Sequence, residues 1–222
     1  MEAVLAETLR GAGVAAGDVA RFDLYSCFPC VVEMAADALG VPHDDPRGLT
    51  VTGGLPFYGQ LASTCCIPAM VELLRQDKAA AGHRGPAFGL VTGNGGYGTK
   101  HSAGLYSAHR PPHLFRLPDL ELLQAQIDRG PAVEVAASPS GRGVVEAFTV
   151  HHDRGNRPFR GVVVGRLLGS GQRFVANVAA DASVFGFMTR PDAAVVGASG
   201  IVWSGSAWRQ PNLFAFDRLE RR

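Results

Sequence analysis

Apolar positions recur at helical spacing over residues 3–12, where Val4, Leu5, Thr8, Leu9 and Ala12 share one face and Gly11 and Gly13 end the run. Alternation takes over at 21–26, with Phe22 and Leu24 on one side, and predicts a short strand. A second helix opens with Pro29 in its first turn, where the missing N–H costs nothing. It carries Val31, Val32, Met34, Ala35, Ala38 and Leu39 and stops at Gly40; residues 42–46 follow as a loop. Residues 49–52 predict a brief strand that runs into Gly53-Gly54. From about Thr64 a third helix places Ile67, Met70, Val71 and Leu74 at helical spacing, with Pro68 tolerable only in the first turn. After a loop at 79–85, the apolar run 87–91 breaks into a turn that contains Gly93, Gly95, Gly96 and Gly98, and an extended segment, 102–106, leaves it. This order predicts a layered α/β unit with a partly parallel sheet. Two glycine turns, each after an apolar run, predict two strand ends facing one cleft, where bare backbone lets a ligand approach closely.

The pattern then changes. Residues 110–118, RPPHLFRLP, read as a linker, and a short helix at 119–128 starts at a capping aspartate. Beyond Gly130 the runs 144–151, 161–168 and 173–178 are strand-length and rich in Val and Phe, separated by hairpin turns at 153–158 and 168–172. Residues 182–188 predict one short helix and 195–203 another strand. Several short strands in this order predict a small barrel or open sandwich. Two domains follow: 1–110, then a linker and helix at 111–127, then 128–222.

Composition narrows the function. With 222 residues and a formal net charge of +1, the chain is long enough for real cores and lacks the overall basic excess of a general nucleic-acid surface. The arginine-containing runs at 110–116 and 218–222 read as solvated edges. No apolar run approaches the roughly twenty residues of a bilayer span, and residues 1–10 carry Glu2 and Glu7 rather than a basic start before an apolar core, so a cytoplasmic location is the default expectation. Cys27, Cys30, Cys65 and Cys66 are then expected as reduced thiols.

Several motifs compete for the chemistry. Residues 93–100, GNGGYGTK, superficially resemble a phosphate-binding P-loop, but the required Gly-Lys-Ser/Thr ending and the following helix are missing. Cys27-Phe28-Pro29-Cys30 sits between a strand and a helix, the context of a dithiol redox motif, in which the helix N-terminus would favour the Cys27 thiolate. The surrounding pattern does not follow a thioredoxin layout, and Cys is also a common buried small residue. Adjacent Cys65 and Cys66 rarely reach one tetrahedral ion together, so no metal is expected. Among the histidines, His83, His109, His113, His151 and His152 read as loop or strand-end residues. His101, beside Lys100 just past the glycine turn, reads either as part of an anion-binding pair or as an exposed strand start.

Four blocks in order, residues 22–29 (FDLYSCFP), 50–59 (TVTGGLPFYG), 71–75 (VELLR) and 89–107 (GLVTGNGGYGTKHSAGLYS), resemble the C-terminal half of a thiolase-superfamily protein. The group resembled is the acetyl-CoA acetyltransferase type related to sterol-carrier thiolases. The later pieces FTVHHDRGNRPFRGVVVGRL and RFVANV resemble the additional C-terminal β-domain that some of these proteins carry. The resemblance implies an α/β thiolase-like C-terminal half, a mixed sheet with helices, followed by a small all-β barrel or sandwich. It also implies acyl exchange on a CoA thioester, which is substrate or ligand rather than a covalently bound cofactor, in lipid metabolism.

The resemblance assigns residues one by one. Tyr25, in the block with Cys27, stands where the family places the Asn or His lining the oxyanion site. The family's Gly-His-Pro motif falls on Gly59-Gln60-Leu61, and glutamine is no general base at neutral pH. The acid/base cysteine position falls on Thr92, whose hydroxyl is a poor proton shuttle. The ligand-binding set is then Tyr25, Cys27, Gly53, Gly54, Asn94, Gly95, Gly96 and His101, with Gln60 and Thr92 at degenerate catalytic positions. The family's nucleophilic cysteine belongs to an N-terminal half not contained in these residues. The expected partners are therefore an acyl-CoA or lipid-like ligand, together with a chain supplying that half or further copies of this one; no nucleic acid or membrane span is expected. Three readings stand: a thiolase-like acyltransferase half, a non-catalytic acyl-CoA- or lipid-binding or assembly module, and a dithiol protein using Cys27 and Cys30. For the β-domain, Trp203, Trp208 and Phe214 read as ligand-stacking or, more ordinarily, as core aromatics.

Overall fold

A computed structural model describes residues 1–59, 64–79, 87–110, 116, 118–205 and 210–220. Gln60, Trp208, His83 and His113, with most of the expected loop and linker, lie outside the described residues. The chain divides into two compact units, Met1–Gly130 and Pro131–Arg222.

In the first unit α1 (Glu2–Ala12) ends on Gly13 in the left-handed conformation, and a short 3-10 turn leads into β1 (Val19–Asp23). Then come α2 (Pro29–Leu39), capped by left-handed Gly40, α3 (Leu55–Tyr58) and α4 (Cys66–Ala79). A hairpin of β2 (Phe88–Gly95) and β3 (Lys100–Tyr106) follows, and α5 (Leu120–Asp128) closes the unit, with the Asp119 carboxylate accepting the Leu122 N–H. The three-stranded sheet has the order β1-β2-β3, parallel between β1 and β2 and antiparallel between β2 and β3. Its main core gathers Leu5, Val19, Phe22, Leu24, Ala35, Ala36, Val41 and Leu90, while Ala69, Leu73 and Val91 form a second cluster under α4.

Three expectations for this unit are corrected. The strand expected at 21–26 lies at Val19–Asp23, because Leu24 already turns its N–H to the Leu49 carbonyl at 2.9 Å. No strand forms at 49–52. The N–H groups of Val51 and Thr52 donate instead to the Asp23 carboxylate, each at 3.1 Å, and a side chain takes the place of a ladder. Gly93 and Gly95 belong to β2 itself, so the turn proper is only residues 96–99.

In the second unit β4 (Gly141–His152), β5 (Pro158–Leu167) and β6 (Arg173–Val178) are successive hairpin-connected strands. The helix α6 (Ala182–Met188) is capped by Asp181, and β7 (Ser199–Trp203) and β8 (Leu213–Phe216) complete the unit. The sheet closes into a barrel in the order β4-β5-β6-β8-β7, with β6 and β8 parallel. Closure decides between the two expected architectures: this is a barrel, not an open sandwich. Phe174 and Phe214, both at 0% exposure, stack at 5.7 Å in its core beside Val163, Val195 and Val202. Gly165 faces Phe174; a Cβ there would stand 2.4 Å from the ring, so the large residue fits only because the small one opposes it. The final strand, four residues long, is too short for its alternation to register in the sequence.

Candidate functional site

The C-terminal ends of β1 and β2 lie side by side because the two strands are parallel, with Asp23 opposite Val91. The chain leaving β1 therefore runs next to Thr92. The Tyr25 N–H donates to Thr92 Oγ1 at 2.8 Å, and the Thr92 carbonyl accepts the Cys66 thiol at 3.6 Å. Thr92 itself is buried.

One step further along β2, Cys27 Sγ donates to Asn94 Oδ1 at 3.4 Å. The Asn94 Nδ2 is buried and has no hydrogen-bond partner among the described residues. A buried amide left unpaired costs about 1–3 kcal/mol, which is why such groups are rare unless a ligand or water completes them. Asn94 pairs across the hairpin with His101, whose Nε2 donates to the Gly98 carbonyl at 2.7 Å. Tyr25, Thr92, Gly93, Asn94 and His101 line one narrow crevice, floored by Val4, Leu5, Val31 and Ala35. Its enclosed space is about 10 Å³, room for about one water-sized group. Gly93 lets Ser102 and Cys66 close in on the strand: a Cβ there would stand 2.8 Å from Ser102 Oγ and 3.3 Å from Cys66 Sγ.

On the other side of Tyr25 a second crevice is lined by Asp23, Ser26, Thr52, Leu55, Tyr58, Cys65 and Cys66. Asp23 Oδ1 accepts from the Val51 and Thr52 N–H groups and from Thr52 Oγ1 at 2.8 Å. Burial raises the Asp23 pKa, against the lowering effect of those three bonds. Ser26 Oγ accepts the Leu55 N–H at 2.9 Å. These two acceptors fix the Gly53-Gly54 loop beside the end of β1. Burial, then the neighbouring thiols of Cys65, Cys27 and Cys66, push the Tyr25 phenol up. Burial pushes the Cys66 thiol up to about 11, with Cys65 and Asp23 adding to it. Cys66 is thus a neutral thiol at physiological pH, a hydrogen-bond donor and not a nucleophile.

The expected residues fall into three sets. Tyr25, Thr92, Asn94 and His101 share the first crevice, with Cys27 bonded to its rim. Gly54 meets the second crevice through Ser26, whereas Gly53 faces Phe57. Gly95 and Gly96 sit at the hairpin end, Gly95 with open space and Gly96 with Thr99 beside it. Gln60 follows Gly59, which lines the second crevice, but itself lies outside the described residues. All four cysteines are free; Cys30 is exposed on α2 while Cys27 faces Asn94. No group of three or more metal-ligating side chains occurs among the described residues, and no described helix is long and apolar enough to cross a membrane. Asp23, Ser26 and Thr52 were not singled out from sequence. An aspartate closing an apolar run, with Thr-Gly-Gly further on, carries the turn chemistry that could have flagged them.

Residues 122–206 match the family described as the thiolase-like protein type 1 additional C-terminal domain. The chain is also similar to the crystal structure of a monomeric SCP2-thiolase like protein type 1 from Mycobacterium smegmatis, with 36% identity and a TM-score of 0.79. That similarity covers 95% of this chain and 44% of the other, so the chain spans less than half the length of the protein it matches. No curated protein matches the sequence.

Proposed function

This is a thiolase-like protein with the additional C-terminal domain, and from that premise we propose that its first unit binds an acyl-CoA thioester without carrying out thiolase acyl exchange. The observation that carries this reading is the state of Thr92. At the position where the resemblance places the acid/base cysteine, a hydroxyl oxygen is occupied by the Tyr25 N–H at 2.8 Å and is buried. It braces two chain segments, and with a pKa far above that of a thiol it has no means of shuttling a proton at neutral pH. Gln60, at the base position, lacks an ionisable nitrogen.

Binding has support of its own. Asn94 Nδ2 is an uncommitted donor at the edge of a crevice with room for a single water-sized group, the size of one carbonyl oxygen. A thioester C=O placed there completes the amide, and the half-buried Tyr25 and His101 border the same space. The partner expectation becomes part of the proposal: Met34 on α2 and Ile67 and Val71 on α4 are more than half exposed, and these apolar side chains suit packing against a thiolase-like N-terminal half, in the same or a separate chain.

Calorimetric titration of the chain with acetyl-CoA and with free CoA tests the reading. Acetyl-CoA is expected to bind more tightly than CoA, and N94A to remove most of that difference, about tenfold for one buried hydrogen bond. Equal affinity for the two ligands, or an unchanged preference in N94A, contradicts it.

A further inference from the structure

The second unit carries an unassigned surface of its own. Its strands run in the order first-second-third-fifth-fourth around a closed barrel, with third and fifth parallel and a helix between third and fourth. This is the topology of the oligonucleotide/oligosaccharide-binding barrel, whose ligands lie across the outer face of the second and third strands and the loop between the first and second. Topology alone assigns no function. The side chains on that face do.

Here the second and third strands are β5 and β6. Val163, Phe174, Ala176 and Val178 fill the barrel, so the alternate residues Arg160, Val162, Val164 and Arg166 of β5, with Arg173, Val175 and Asn177 of β6, face outward. The two strands of the first hairpin also outrun the barrel. β4 pairs with β7 only over Gly141–Val144 and β5 with β6 only over Val162–Arg166, so the remainder is a two-stranded ribbon paired with itself. On that ribbon Arg160 stands opposite His151 and approaches both of its ring nitrogens, at 3.3 and 3.4 Å, rather than a carboxylate. Its guanidinium also lies 6.0 Å from the ring centroid of Phe159, which is 55% exposed. In the turn, Arg157 pairs with Asp153, and Arg154 has no ion pair among the described residues. Arg166 and Arg173 share the single carboxylate of Glu146 at the other end of the face.

The whole-chain charge of +1 conceals this concentration. Pro131–Arg222 holds eleven arginines and no lysine against seven carboxylates, a net +4, and the first unit balances it at −3. We propose that the ribbon and the β5–β6 face of the barrel bind single-stranded nucleic acid, with Arg154 and Arg160 on phosphates and Phe159 stacking on a base. Three features favour an extended strand over a small anionic ligand. The cations are spread from the ribbon to Arg166, about 20 Å of strand length. The face is the outer surface of paired strands, with Val162, Val164 and the exposed Val175 between the arginines. An exposed aromatic lies among the arginines, the pairing that single-strand binders use.

The test is fluorescence anisotropy of a labelled oligothymidylate of about twelve nucleotides, titrated with the full chain between about 50 and about 200 mM salt. Binding is expected to weaken with salt at a log–log slope of about −1.4, for the two phosphates that Arg154 and Arg160 neutralise. R160A and R154A should each flatten that slope by about 0.7. F159A should weaken binding about tenfold and leave the slope alone, because stacking releases no counterion. Arg154 lies in an exposed turn, so R154E reports on the surface even if R160A loosens the ribbon. Three results each overturn the proposal: a duplex of the same length binding as tightly as the single strand, salt slopes unchanged in R154A and R154E, or free CoA displacing the strand at comparable concentration.

Discussion

The two units hold their chains in place by different means, and the contrast locates where the molecule can change without unfolding. The barrel closes its sheet on itself, so every strand finds a backbone partner on both sides along at least part of its length, and a single aromatic stack fills the middle. The first unit has a three-stranded sheet with two edges, and side chains hold its loops: Asp23 on residues 51 and 52, Ser26 on Leu55, Thr92 on Tyr25, Arg47 on the carbonyls of Ala16 and Val19. Loops fixed by single side chains can be released one at a time, whereas a closed barrel yields as a whole. The site is built in the first kind of structure.

The aromatic residues make this contrast measurable. Trp203 and Trp208 both belong to the second unit, and Tyr25, Tyr58, Tyr97 and Tyr106 to the first. Tryptophan emission therefore follows the barrel, and tyrosine signals follow the thiolase-like unit. The largest effect is expected from F174A, which empties a fully buried ring site and should cost the barrel about 3–5 kcal/mol, seen as a drop in the tryptophan denaturation midpoint. A tyrosine transition that falls by the same amount would show the units to be one cooperative body, and the comparison would fail.

D23A comes next. It leaves the Val51 and Thr52 N–H groups without their acceptor and should cost the first unit about 1–3 kcal/mol, with the tryptophan transition unmoved. D23N keeps an acceptor oxygen and should cost less. Its pH behaviour sharpens the point. Burial raises the Asp23 pKa, so the folded unit holds that proton more strongly than the unfolded chain and gains stability on the acid side. The gain fades as pH rises through the folded value, and D23N should remove this part of the profile.

Much of the fold was legible because its signals are local. Gly13 and Gly40 end helices where helical spacing stops, and Asp119 caps the helix that follows it. In the second unit valines and phenylalanines alternate along strands of six to twelve residues. The segment at 49–52 was misread because its apolar spacing suits a strand, while the deciding partner, the Asp23 carboxylate, lies far away in sequence. The site was legible only in its residue types. That Thr92 would brace Tyr25, that Cys27 would occupy one end of the Asn94 amide and leave the other unpaired, depends on the parallel register of β1 and β2, which no local pattern encodes.

Smaller effects remain. T92V keeps the shape and removes the acceptor for the Tyr25 N–H, and should lower the stability read from the tyrosine transition by about 1 kcal/mol, whereas T92S should retain it. The least is expected from Asp45, whose pKa the Arg47 guanidinium lowers to about 2. Its contribution is present above the ordinary value of 3.8 and lost as pH falls toward 2, so D45N should flatten the first unit's acid profile over that interval and lower neutral stability by the same small amount.

The central claim is that this site holds a thioester and does not turn it over. The most direct measurement is release of free CoA thiol under saturating acetyl-CoA, made on the chain alone and again with a thiolase-like N-terminal half carrying a nucleophilic cysteine supplied. Acetyl-CoA is expected to bind, and thiol to appear no faster than without protein, in both cases. Release that scales with the concentration of this chain and falls in Q60A would contradict it, and would show that glutamine and threonine at these positions still serve an acyltransferase.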